Sequence, residues 1–103
     1  MVTHTSARAS RAARQIGDNL TLWRKLHNLT AAQIADRAGV SRTTLSKLEH
    51  GESGVSLGVV LEVLRALGQL DAVVKATDPY ESDLGRVRAA QELPQRVRRR
   101  ESI

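Results

Sequence analysis

The sequence predicts an all-α fold of five short helices packed around one core, and three observations lead there. Apolar residues recur at spacings of three and four from Ile16 to Val74, the rhythm of helices that bury one face. Thr30, Ser41 and Ser56 each precede such a stretch, while Asn28, Gly39, Gly51 and Gly68 follow one, as helix caps and stops require. No segment of strand length alternates apolar and polar residues before Pro79.

Residues 1 to 15, rich in Ala, Ser, Thr and Arg, lack an apolar stripe and read as a flexible basic arm. Arg8, Arg11 and Arg14 would share one face if this stretch were helical. The first helix is expected from Ile16, with Ile16, Leu20, Trp23, Leu26 and Leu29 turned to the core and Asn28 at its stop. Thr30 and Gln33 have capping-box spacing, so Thr30 starts a short second helix with Ile34, Ala35 and Ala38 inward. Gly39 ends it, and Ser41 caps a third helix that runs to about His50. Ser56 caps a fourth, whose stripe is Leu57, Val60, Leu61, Leu64 and Leu67. Leu70, Val73 and Val74 suggest a fifth before Asp78-Pro79 breaks it.

This divides the chain into an arm (1–15), a globular domain (16–77) and a C-terminal tail (78–103). In the tail, Ser82 has the position to cap a helix over residues 83 to 92, with Leu84, Val87 and Leu93 as a thin apolar edge. That edge buries too little to fold alone, so the segment either stays mobile or folds on a partner.

At 103 residues the chain supports one compact core, for which dimerisation would be a useful supplement. It has no Cys, which excludes disulfides and thiolate metal sites and suggests a reducing compartment. The longest apolar run, Leu57 to Leu61 interrupted by Gly58, falls far short of a membrane span. "MVTHTSARAS" has no apolar centre to act as a secretory signal, so a cytoplasmic protein is expected. The net charge of +5 is carried at the two ends, because residues 16 to 78 hold equal numbers of basic and acidic side chains. A polyanionic partner would therefore meet a central domain whose few cations act locally.

The stretch "GVSRTTLSKLEHGES" locates those cations. Two short helices joined by Gly39-Val40-Ser41 make a helix-turn-helix, in which the second helix enters the DNA major groove by its N-terminal end. Ala35 lets the helices approach, Gly39 permits the turn, Val40 plugs the gap beneath it, and Leu45 and Leu48 hold the third helix down. Arg42, Thr43, Ser46, Lys47 and His50 are left on the opposite face, which reads as a DNA-reading face.

Here the sequence resembles the phage-repressor and Cro type of helix-turn-helix domain, the Xre-like and lambda-repressor-like group. The matching residues are "IGDNLTLWRKLHNLTAAQIADRAGVSRTTLSKLEHG" and "SLGVVLEVLRALG", about half of the chain. The resemblance implies that Arg42, Thr43, Ser46 and Lys47 read bases, with Arg and Lys suited to guanine O6 and N7 and the Thr43 methyl to thymine. It also implies that Ser41 and His50 approach phosphates, and that Arg24 and Glu49 form a structural ion pair. The family's phosphate-binding Gln early in helix two falls on Ala31, and this chain carries Gln33 instead. Gln33, Arg8, Arg11 and Arg14 are accordingly the further phosphate candidates. Val55 stands where the family often has Pro.

Enzyme chemistry is not expected. "GESGV" has Val55 where a nucleophile elbow needs its second Gly, and no glycine-rich phosphate loop is present. His4, His27 and His50 do not have metal-site spacing, so neither a metal nor a cofactor is expected. "DPYESDLGRVRAAQELPQRVRRR" resembles, less specifically, the tails of HipB-type antitoxins, which repress their own operon and bind a HipA-like kinase toxin. Arg86, Arg88, Arg96, Arg98, Arg99 and Arg100 are the tail residues available to such a partner or to DNA. The expected protein is a homodimeric repressor on an operator of two half-sites, with Leu70, Val73 and Val74 at the dimer surface. Its alternatives are a repressor with no toxin partner and a helix-turn-helix used only for protein interaction.

Overall fold

The structure is a computed structural model, described over residues 5–92. It is all-α, with six α-helices, one 3-10 turn and no strand among the described residues. The chain forms two compact units, the first ending at Leu70 and the second beginning at Asp71.

Helix α1 (Ala7–Leu26) starts nine residues before Ile16, so residues 7 to 15, read from the sequence as part of a flexible arm, are helical. Local chemistry explains the difference. The Ser6 hydroxyl accepts the Ala9 amide at 3.1 Å, and the Ala- and Arg-rich turns that follow have high helix propensity without needing an apolar stripe. Met1 to His4 lie outside the described residues.

The buried face of α1 also differs from the expected stripe. Ile16, Trp23 and Leu26 are 49%, 39% and 63% exposed, whereas Gly17 and Leu20 are buried. Ser10, Ala13, Thr21 and Arg24, half-buried, complete that inward face. The cause is backbone proximity. A Cβ on Gly17 would lie 2.6 Å from the Glu49 carbonyl oxygen and 2.7 Å from that of Leu48, so α1 rests its smallest residue on the end of α3. That rotation turns Ile16 and Trp23 outward. Trp23 stacks on His27 at 6.0 Å, and His27 Nε2 donates to the Leu67 carbonyl at 3.1 Å, tying the end of α1 to the end of α4.

Asn28 adopts a positive φ of 57° at the α1 stop. Thr30 and Gln33 form a complete capping box at the start of α2 (Ala31–Ala38): the Thr30 hydroxyl accepts the Gln33 amide at 3.1 Å, and Gln33 Oε1 accepts the Thr30 amide at 2.8 Å. Gly39, at φ 70°, provides the left-handed turn into α3 (Arg42–Glu49). Ser41 caps α3 through the Thr44 amide at 3.0 Å, and Ser56 caps α4 (Leu57–Ala66) through Val59 at 3.2 Å.

The core comprises Leu20, Ile34, Ala35, Ala38, Leu45, Leu48, Val63, Leu64 and Leu67, with Val40 and Leu70 partly buried against it. Val63 is fully buried, although it lies off the expected α4 stripe, and Leu57 at the first turn is exposed. Arg65 reaches from α4 to donate to the Arg37 carbonyl at 2.9 Å, satisfying one of the free carbonyls that end α2.

Helix α5 (Leu70–Ala76) begins at the unit boundary. In the second unit Asp78 accepts the Tyr80 amide at 2.9 Å and opens the 3-10 turn Pro79–Glu81. Ser82 accepts the Gly85 amide at 3.0 Å and starts α6 (Asp83–Glu92), which is close enough to the turn that a Cβ on Gly85 would collide with Pro79. Helix α6 thus occupies the 83–92 stretch for which the sequence offered Ser82 as a cap, beyond the five helices of the globular domain. Leu93 and the residues after it lie outside the described residues.

Candidate nucleic-acid interface

Helix α3 is held from beneath and left open above. Leu45 and Leu48 are buried, while Arg42, Thr43, Ser46, Lys47 and His50 are exposed. Two turns of helix with apolar anchors on one side leave the other free for a ligand, and its N-terminal end is fixed by the Ser41 cap. Arg42, Thr43, Ser46 and Lys47 line one open cleft of about 480 Å³ together with Ala31 and Glu49. The first residue of α2 therefore shares this surface with the four candidate base readers. A methyl group at position 31 keeps the cleft wide where a longer side chain would enter it.

The remaining candidates are differently placed. The Ser41 hydroxyl accepts from Thr44 N and donates to Thr44 Oγ1 at 2.8 Å, so it is committed to the cap. Gln33 is exposed with its Oε1 bound to Thr30, which leaves its amide NH₂ to donate. His50 Nδ1 donates to the Ser46 carbonyl at 2.7 Å, fixing the ring against α3. Arg8, Arg11 and Arg14 are exposed on α1.

One ion pair sets the position of α3. Arg24 Nε and Nη2 donate to Glu49 Oε2 and Oε1 at 2.8 and 3.2 Å, and Nη1 donates to the Leu29 carbonyl at 3.2 Å. Both side chains are largely buried, at 14% and 12% exposure. The Glu49 hydrogen bonds push the Arg24 pKa above its ordinary value against the opposing effect of burial. The guanidinium thus stays charged against the Glu49 carboxylate, and the paired hydrogen bonds make the pair a fixed brace.

The second unit keeps several apolar side chains in contact with solvent. Val74, Tyr80, Leu84 and Val87 are exposed, and Val73 is nearly as open as Trp23. Leu70 instead packs on the core of the first unit. Arg86 pairs with Asp83 and donates to the Tyr80 carbonyl at 2.6 Å, which engages it locally, while Arg88 is exposed. Arg96, Arg98, Arg99 and Arg100 lie outside the described residues.

Several contacts were not read from the sequence, among them the Gly17 approach to α3 and the Arg65 bond to α2. The spacing of Ser10, Ala13 and Gly17 was the available sign of the first, since small residues on one helix face permit close approach.

A capped helix pair, a left-handed glycine between them and an open polar face on the second helix define a helix-turn-helix protein. The helix-turn-helix family profile matches residues 20–73, and the chain belongs to that family. It is 42% identical over 45 residues to antitoxin PezA of Streptococcus pneumoniae, a match covering 44% of this chain and 28% of PezA. It is 35% identical over 51 residues to an uncharacterized HTH-type transcriptional regulator of Methanocaldococcus jannaschii, covering 50% of this chain and 77% of that protein. The match therefore spans little more than a quarter of PezA but most of the archaeal regulator. No described helix is long and apolar enough to cross a membrane.

Proposed function

We propose that the protein is a sequence-specific DNA-binding repressor that acts as a homodimer. The observation that carries this reading is the α3 face, where Arg42, Thr43, Ser46 and Lys47 stand together in an open cleft on a helix braced by Arg24 and Glu49. Arg42 and Lys47 supply donors for guanine, Thr43 a methyl for thymine, and Ser46 a hydroxyl that suits either. His50, Gln33 and Ser41 are the residues that would meet phosphates beside the groove. The exposed Val73 and Val74, with the segment after Pro79, are the proposed dimer surface. Two subunits would then present their α3 helices to half-sites about one helical turn apart. Repression follows from occupancy, since a bound dimer blocks polymerase.

The further reading is that of an antitoxin. The similarity to PezA supports a regulator that also holds a toxin, and the apolar side chains of the second unit offer that toxin a surface. A HipA-like kinase is the toxin we propose, on the tail composition alone. The test is to titrate the full chain against the duplex upstream of its own reading frame at several salt concentrations, and to co-purify it with the product of the adjacent gene. Salt-dependent binding with retention of that product supports both readings. Binding without retention leaves a repressor only, and absence of duplex binding leaves a protein-interaction module.

A further inference from the structure

The first half of α1 lies outside the region shared with the family, which begins at residue 20. It carries Arg8, Arg11 and Arg14 at one-turn intervals, all exposed, and none of them joins an ion pair among the described residues. Three unpaired like charges along one face of a helix are a cost to the fold unless an anion meets them.

Their placement says where that anion is. A Cβ on Gly51 would lie 2.5 Å from Arg14 Cα, so α1 crosses the end of α3 in backbone contact. Thr5 Oγ1 and Ser53 Oγ, 3.1 Å apart, fasten the helix start to the same loop. Arg42 and Ser46 lie on successive turns of α3 with His50 at its C-cap, and His50 shares an open cleft of about 420 Å³ with Arg14, Asp18, Thr21, Arg24 and Glu49. Glu49 is already neutralised by Arg24, and among the described residues Asp18 is the one acid lining that cleft outside an ion pair. The exposed surface of the recognition helix therefore continues through His50 to Arg14, and Arg11 follows one turn beyond.

We infer that the α1 extension is a rigid phosphate-binding ridge, with Arg11 and Arg14 gripping DNA backbone phosphates beside the groove that α3 enters. The inference rests on the DNA-binding reading above. A pre-formed helical ridge loses less entropy on binding than a mobile arm, and it contacts phosphates at a fixed distance from the bases being read. It also provides backbone contacts that Ala31, at the start of α2, does not make.

The test is a salt titration of the full chain on a selected duplex and on a random-sequence duplex, with folding followed by circular dichroism. The Arg11→Ala/Arg14→Ala variant is expected to lower the slope of log affinity against log salt by about 1.8 on both duplexes, two phosphate contacts at about 0.9 each. Arg11→Lys/Arg14→Lys should keep most of the slope. Ala12→Pro retains every charge but breaks the helix, and should also lower the slope. An unchanged slope in the alanine variant overturns the inference. A lowered slope there with an unchanged slope in Ala12→Pro overturns it too, because the arginines would then act as a loose arm. If the unmodified protein binds neither duplex, the DNA-binding reading itself fails.

Discussion

Arg24 on α1 and Glu49 on α3 form a two-pronged ion pair, at 2.8 and 3.2 Å, that ties α1 to the C-terminal end of α3. Burial makes this pair a weak source of net stability but a strict one in geometry, since either charge alone would be stranded. Glu49→Ala is expected to cost about 3–5 kcal/mol in urea unfolding, the range for breaking a buried pair. Arg24→Met/Glu49→Leu should recover most of that loss. The double variant separates stability from positioning: a stable protein with weakened duplex binding shows that the brace serves the recognition helix.

The pH dependence has a definite sign. Because the folded-state pKa of Arg24 is raised, its contribution is fully present below the unfolded value and is lost only as pH rises through the folded one. The raised guanidinium therefore contributes no stability loss between pH 7 and pH 10. Urea midpoints of the unmodified protein and of Arg24→Met across that window should differ by a constant amount.

Two glycines should respond oppositely to alanine. Gly17→Ala places a methyl against the carbonyls of Leu48 and Glu49, where only backbone can move, and should destabilise by about 1–3 kcal/mol. Gly58, in the first turn of α4, has open space around it, so Gly58→Ala should stabilise by about 0.4–1 kcal/mol through the unfolded chain. Thermal melts of both variants check the pair, and equal shifts would contradict the close approach of α1 to α3.

The core predicts a third contrast. Ile34 is fully buried at the centre of the first unit, and Ile34→Ala should cost about 2–5 kcal/mol. Ile16 was expected from its spacing to be equally inward but is about half exposed, so Ile16→Ala should cost markedly less. Similar losses at the two positions would restore Ile16 to the core.

These contrasts mark what was legible in the sequence. The caps at Thr30, Ser41, Ser56 and Ser82, and the stops at Asn28, Gly39, Gly51 and Gly68, depend on a side chain and its own neighbouring backbone. Such short-range chemistry can be read residue by residue. The inward face of α1 could not, because it is chosen by Gly17 meeting the backbone of another helix, a contact without an apolar signature. Its start was missed for a related reason: residues 7 to 15 are helical through capping and propensity, so no stripe announces them. On the site, the open face of α3 follows from the burial of Leu45 and Leu48. The engagement of the Ser41 hydroxyl and of Gln33 Oε1 in caps became visible only with partners at measured distances.

Whether the α3 face reads DNA sequence is decided by selecting duplexes from a random pool. The unmodified protein should enrich a two-fold symmetric motif with half-sites about one helical turn apart. Arg42→Ala should relax one symmetric pair of positions in that motif, at a cost of about 1–3 kcal/mol for the cognate base. A pool that stays random with the unmodified protein, or a motif that Arg42→Ala and Lys47→Ala leave unaltered, would contradict it.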